Sequence, residues 1–246
     1  MQIEGKKRTL RRIVISSLFV ILFGVVGTLM LKYEVEGETN MPFKLTKISI
    51  VSTASGINRE GTTENSNLEL IQNNDIYLNF QKNNQNYNDL FIKKVSIENI
   101  TIKEQPAKGE VKFYRAIAEG SNTNINKEEY SIKQKVEYSG DTESNLEQLK
   151  IGNQGGIVGI RCAIENLGEY VSNNTEIRID GTLLKETNVT PEDLFMKIGF
   201  DIILEVTSGV RYKAYAELDL PCGNIIEEGI CKNDITDLKK IVFKRF

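Results

Sequence analysis

The sequence predicts a mainly β protein: a single N-terminal transmembrane helix followed by a β-sandwich-like extracytoplasmic domain, built as one or two modules. Three observations carry that reading. An uncharged apolar run fills residues 13–31, period-two alternation recurs from residue 48 onward, and turn pairs such as Asp180-Gly181 and Ser208-Gly209 punctuate it.

Residues 13–31, IVISSLFVILFGVVGTLML, span about 28 Å as a helix, close to the roughly 30 Å hydrocarbon core of a bilayer. Ser16, Ser17 and Thr28 can return their hydroxyls to the helix backbone, so they do not break the span. Residues 1–12 form a basic tail with Lys6, Lys7, Arg8, Arg11 and Arg12, whereas Glu34, Glu36 and Glu38 follow the run. The positive-inside rule therefore sets the N-terminus in the cytoplasm and the rest outside a cell membrane. The run exceeds the 7–15 residues usual for a signal-peptide core, and no small-residue cleavage site follows Leu31, so an uncleaved anchor is expected. Residues 32–42 read as a polar spacer and residues 43–246 as the β domain.

Within that domain the strand signals come in order. Ile48 and Ile50 open the pattern, and Ile76, Leu78 and Phe80 continue it. In residues 90–103 the apolar face switches from Val95 and Ile97 to Ile100 and Ile102, which predicts a bulge near Glu98-Asn99. Gly109 opens a strand with Val111 and Phe113, and Val158, Ile160, Cys162 and Ile164 mark another. Ile177 and Ile179 lead into Asp180-Gly181. Phe200 to Val206 and Tyr212 to Leu218 alternate on either side of Ser208-Gly209 and predict a hairpin. Helix signals are few. Thr190-Pro191-Glu192-Asp193 caps a short helix, and Asp234 to Asp237 could cap a turn or two ending at Lys239-Lys240. The polar stretches 119–128 and 139–148 are linker candidates, and a sub-boundary near 139–150 would divide the domain into two modules of similar size.

Composition excludes much chemistry. The chain has no His and no Trp, so Ser-His-Asp and Cys-His nucleophiles and His-ligated metals cannot be built. Six of the 31 basic residues and one of the 34 acids lie in residues 1–32, which leaves residues 33–246 with a net charge of −8. Such a domain repels phosphate backbones, so no nucleic-acid partner is expected. Abundant Asn, Lys, Ile and Glu match the coding of a low-GC bacterium. Cys222 and Cys231 flank a short loop and could close a disulfide, whereas Cys162 falls on the apolar face of a strand and reads as core. The glycine-rich residues 152–159 precede a strand and lack the Lys-Ser/Thr ending of a phosphate loop. Asn122, Asn124 and Asn126 lack the acids and the central Gly of a calcium loop.

No cofactor, metal or small-molecule ligand is indicated. The expected partners are the lipid bilayer and a protein of the envelope, and the expected role is that of a membrane-anchored interaction or scaffold module. Paired carboxylates are the hydrolytic chemistry that needs no His, so an enzyme acting on wall polysaccharide stands as the alternative, beside a ligand-sensing ectodomain.

Overall fold

The computed structural model describes residues 2–39, 41–58, 66–83, 89–117, 131–133, 135–140, 149, 151–172 and 183–246. Helix α1 (Gln2–Thr39) covers the basic tail, the apolar run and most of the expected spacer. Ser17 and Thr28 donate their hydroxyls to the carbonyls of Ile13 and Gly24, both at 2.9 Å, as expected. Over Arg11–Met30 no part of the helix is buried against the rest of the chain, and by length and composition it could cross a membrane. Residues 33–39 of the expected spacer continue the helix. Propagating an existing helix costs little per residue, and only Pro42 forces its residue neighbour Met41 out of helical geometry.

The remainder is mainly β, in two antiparallel sheets. Sheet A comprises β1 (Phe43–Asn58), β2 (Ser66–Lys82), β4 (Glu110–Arg115), β5 (Ser131–Ile132), β7 (Ile151–Gly152), β8 (Gly155–Ser172) and β11 (Ile230–Ile235), in the order β11-β1-β2-β8-β4-β5 with β7 paired to β8. Sheet B comprises β3 (Ile92–Glu104), β6 (Lys135–Ser139), β9 (Met196–Val206), β10 (Arg211–Leu220) and β12 (Lys244–Arg245), in the order β12-β10-β9-β3-β6. Both sheets draw strands from before and after residues 139–150, and one hydrophobic core joins them. The expected sub-boundary therefore does not divide the β domain.

The core follows from the alternation. Ile48, Ile50, Ile76, Leu78, Phe80, Val158, Ile160 and Ile164 of sheet A meet Ile97, Ile198, Phe200, Ile202 and Leu204 of sheet B, all essentially without exposure. Each such side chain contributes about 1.5–3 kcal/mol by leaving water. The bulge expected near Glu98-Asn99 is present. Glu98 pairs with Asp201 and Thr101 with Gly199, so β3 carries one extra residue, and Asn99 takes φ +53°. The β9–β10 hairpin turns at Gly209, whose φ of +82° a side chain would strain. The glycine-rich residues behave as a turn into a strand, with β7 pairing back onto the start of β8.

Among the described residues, three single-turn helices close the end of the sandwich away from α1: α2 (Leu183–Glu186), α3 (Pro191–Leu194) and α4 (Ile225–Glu228). The cap of α3 is as the sequence indicates. Thr190 accepts from the Asp193 N–H at 3.4 Å, and the Asp193 carboxylate accepts from the Thr190 N–H at 2.9 Å. The helix expected near Asp234 is instead the end of β11, because Ile235 pairs with Ile48, and only a turn follows at Lys239-Lys240. The expected Ile177–Ile179 strand, the Asp180-Gly181 turn, the stretch 119–128 and Asn122 to Asn126 lie outside the described residues.

Candidate interaction site

Strand β10 borders sheet B over most of its length. Its partner β12 pairs only with Tyr212 and Lys213, and among the described residues no strand pairs with 214–220 on that side. The Phe246 N–H donates to the Arg211 carbonyl at 3.1 Å, which fixes the parity. In an antiparallel strand both main-chain groups of a residue point to one side and alternate along the chain. The N–H and C=O groups of Tyr215, Glu217 and Asp219 therefore face the open edge, and their side chains point to the solvent face of the sheet.

That solvent face is ordered by ion pairs and one aromatic ring. Tyr215 lies across Gly199 of β9, where a Cβ would come within 2.2 Å of its hydroxyl. The hydroxyl donates to the Glu217 carboxylate at 2.8 Å, and the Lys103 ammonium lies 5.8 Å from the ring centroid. Lys197 pairs with Asp219 at 3.3 Å and Lys213 with Asp201 at 2.8 Å. Across β3 and β6, Lys135 bridges Glu98 and Glu137 at 3.0 and 2.7 Å. Hydrogen bonds from Lys135 and Lys94 hold the Glu137 carboxyl below its ordinary range.

The acids on the outer face of sheet A are paired as well. Arg161 forks onto Asp75 at 2.6 and 2.7 Å, and Glu165 accepts from the Tyr114 hydroxyl at 2.8 Å and pairs with Lys112 at 3.2 Å. Burial, followed by the Glu165 contact, pushes the Tyr114 phenol up. Among the described residues no cluster of acids or cysteines could hold a metal.

The two cysteines singled out in the sequence are brought together, both as free thiols. The Cys222 thiol donates to the Cys231 carbonyl at 3.2 Å, and Cys231 Sγ packs so close to Gly223 that a Cβ there would meet it at 2.4 Å. Burial and the Cys222 contact push the Cys231 thiol up to about 11. Cys162 is fully buried against the Met196 sulfur at 3.9 Å, as its apolar face predicts, and burial drives its pKa up. Of the basic residues expected to set orientation, Arg11 and Arg12 are exposed on α1, and Lys6, Lys7 and Arg8 fall on its first turns.

Sequence reasoning missed a polar cluster inside the core. Ser52, Gln72 and Asn74 have no solvent exposure. Ser52 donates to Asn74 Oδ1 at 2.7 Å and accepts from the Cys222 N–H at 3.0 Å, which ties the cysteine loop to β1. Parity with Ile76, Leu78 and Phe80 was the available signal, since Gln72 and Asn74 share their face. The open edge of β10 carried no signal, because an edge is defined by neighbours distant in sequence.

Comparison with family models, with curated proteins and with solved structures finds no match to this chain.

Proposed function

We propose that this chain is a single-pass anchored protein of the cell envelope whose β domain is an interaction module, taking an extended segment of a partner protein onto the edge of β10 by strand addition. The observation that carries this reading is the run of main-chain groups at Tyr215, Glu217 and Asp219 that face the edge and, among the described residues, have no strand partner there. Main-chain bonds would supply the affinity, and alternate side chains the selectivity. Glu217 and Asp219 beside the edge favour a partner segment with Lys or Arg at alternate positions, and the same two charges oppose pairing between copies of this edge.

The anchoring half of the proposal rests on the exposed apolar stretch of α1 and on the charge difference across it. The cavity beside the start of β1, about 310 Å³, has no carboxylate in its lining and gives no support to polysaccharide hydrolysis.

The test is a photoreactive amino acid at Glu217, crosslinked in native cells and compared with the same group at Ile203 in the middle of sheet B. One dominant protein adduct from position 217, absent from position 203 and abolished by Asp219→Pro, supports strand addition, because Pro removes an edge donor. Adducts made only of wall glycan would overturn it in favour of the polysaccharide-acting alternative.

A further inference from the structure

The strand ends nearest α1 gather on one end of the sandwich. Phe43 begins β1, the Asn83 N–H donates to the Pro42 carbonyl at 2.7 Å, and the Ile92 N–H donates to the Asn153 carbonyl at 2.9 Å across the two sheets. Residues 237–246 run beneath this end from sheet A to sheet B. Phe243 packs edge-on against Phe80 with ring centroids 6.3 Å apart, and β12 pairs with β10 and lies against α1. The C-terminal segment is thus held at the foot of the domain, where α1 leaves it.

Its chemistry is opposite to that of the domain. Residues 237–246 carry Lys239, Lys240, Lys244 and Arg245 against Asp237, a side-chain charge of +3 in a region whose net charge is −8. Lys239, Lys240 and Lys244 are exposed, and beside them Val242 and Phe246 show 36% and 50% of their surface. The Arg211 guanidinium stacks 4.6 Å from the Phe246 centroid and adds a further cation. Next to the segment lies the 310 Å³ cavity, floored by Met41, Phe43, Leu45 and Leu238 and rimmed by Lys44 and Lys239. Cations alternating with apolar side chains suit a surface that is anionic outside and apolar just beneath.

We propose that residues 237–246, with Arg211, form a docking surface for the anionic phospholipid headgroups of the bilayer that α1 crosses. The inference rests on α1 being a membrane span and adds to it a second contact, which sets the tilt of the sandwich and directs the β10 edge. Charge complementarity and the position beside α1 select this occupant over a soluble anion or a protein.

The chain has no Trp, so Phe246→Trp is a single reporter on the docking surface and Phe195→Trp a control at the opposite end. Both full-length variants are reconstituted in vesicles of phosphatidylcholine alone, or of phosphatidylcholine and phosphatidylglycerol in equal parts, with headgroup-labelled quencher. The expected result is quenching of Phe246→Trp only when phosphatidylglycerol is present, weakened by salt, with Phe195→Trp unaffected. Each of Lys239, Lys240, Lys244 and Arg245 changed to Gln should weaken the contact about five-fold. Equal quenching in both vesicle types would overturn the proposal, since a tether alone would explain it. So would absence of quenching from a chain that resists alkaline carbonate, or a Phe246→Trp response to soluble polyphosphate and not to vesicles. Release of the chain by carbonate would instead overturn the membrane-span reading, and the docking surface with it.

Discussion

Gln72 and Asn74, two residues apart on one face of β2, bind each other's side-chain amides in a closed pair. Gln72 donates to Asn74 Oδ1 at 2.7 Å and Asn74 donates back to Gln72 Oε1 at 2.9 Å, with neither residue exposed. Ser52 on the neighbouring strand completes the cluster. A one-residue slip of β1 against β2 would turn Ser52 to the solvent face and leave Asn74 without it in the interior, so the cluster specifies register.

Removing one member should therefore cost more than removing all three. Asn74→Ala leaves Gln72 and Ser52 without their partner in an apolar interior and is expected to destabilise by about 3 kcal/mol, lowering Tm by roughly 6–12 °C. Ser52→Ala combined with Gln72→Leu and Asn74→Leu should recover most of that loss. Thermal unfolding of both variants checks the ordering, and a triple variant weaker than Asn74→Ala would refute a register role.

The cysteine pair predicts a selective oxidation. With Cys222 against Cys231, a disulfide-exchange reagent should convert these two thiols to a bridge, releasing two equivalents of reduced reagent, and leave Cys162 as a thiol. Proteolysis followed by mass spectrometry under non-reducing conditions reads the pairing. The bridge closes a short loop and should raise stability by about 2–3 kcal/mol. Because burial lifts the Cys231 thiol to about 11, its alkylation should be slow at neutral pH and accelerate steadily as pH rises toward that value.

Where alternation was strict the sequence revealed the element, as in the β9–β10 hairpin and in the bulge at Asn99, because one buried face leaves a period of two. The Thr190 cap was legible for a local reason, since its partner is three residues away. The first half of β2 was not legible. Gln72 and Asn74 look like loop residues until Ser52, twenty residues earlier, is known to face them. Short strands such as β6 escaped because their pairing depends on β3, some forty residues back. The interaction site was the least legible feature, as an open edge is a property of topology and leaves no mark on composition.

Acid should loosen the outer face of sheet B. Hydrogen bonds from Lys135 and Lys94 depress the Glu137 carboxyl, and Lys93 depresses Glu205. Burial raises Glu98, but the Ser96 hydroxyl and Lys135 outweigh it and leave that group lowered too. A depressed carboxylate contributes stability that is present above its unfolded pKa of about 4.5 and lost as pH falls through the lower folded value. Tm should therefore be level from pH 7 to about pH 5 and fall below that. Lys135→Gln should flatten the fall and cost no more than about 3 °C at pH 7, because these pairs are largely exposed and screened. An unchanged acid profile in Lys135→Gln would assign the fall to other carboxylates.

Orientation is the last expectation with a direct reading. Lys6, Lys7, Arg8, Arg11 and Arg12 precede the apolar run, and Glu34, Glu36 and Glu38 follow it. If this difference sets topology, protease added outside intact cells should digest the β domain and spare an N-terminal tag. Changing the five basic residues to Gln and the three acids to Lys reverses the difference, and the tag should then become accessible while residues 43–246 are protected. Exchanging the acids alone should matter little, since basic residues dominate the rule and acids contribute weakly. A tag that stays protected in the reversed variant would mean that rapid folding of the β domain, and not flanking charge, holds the chain in place.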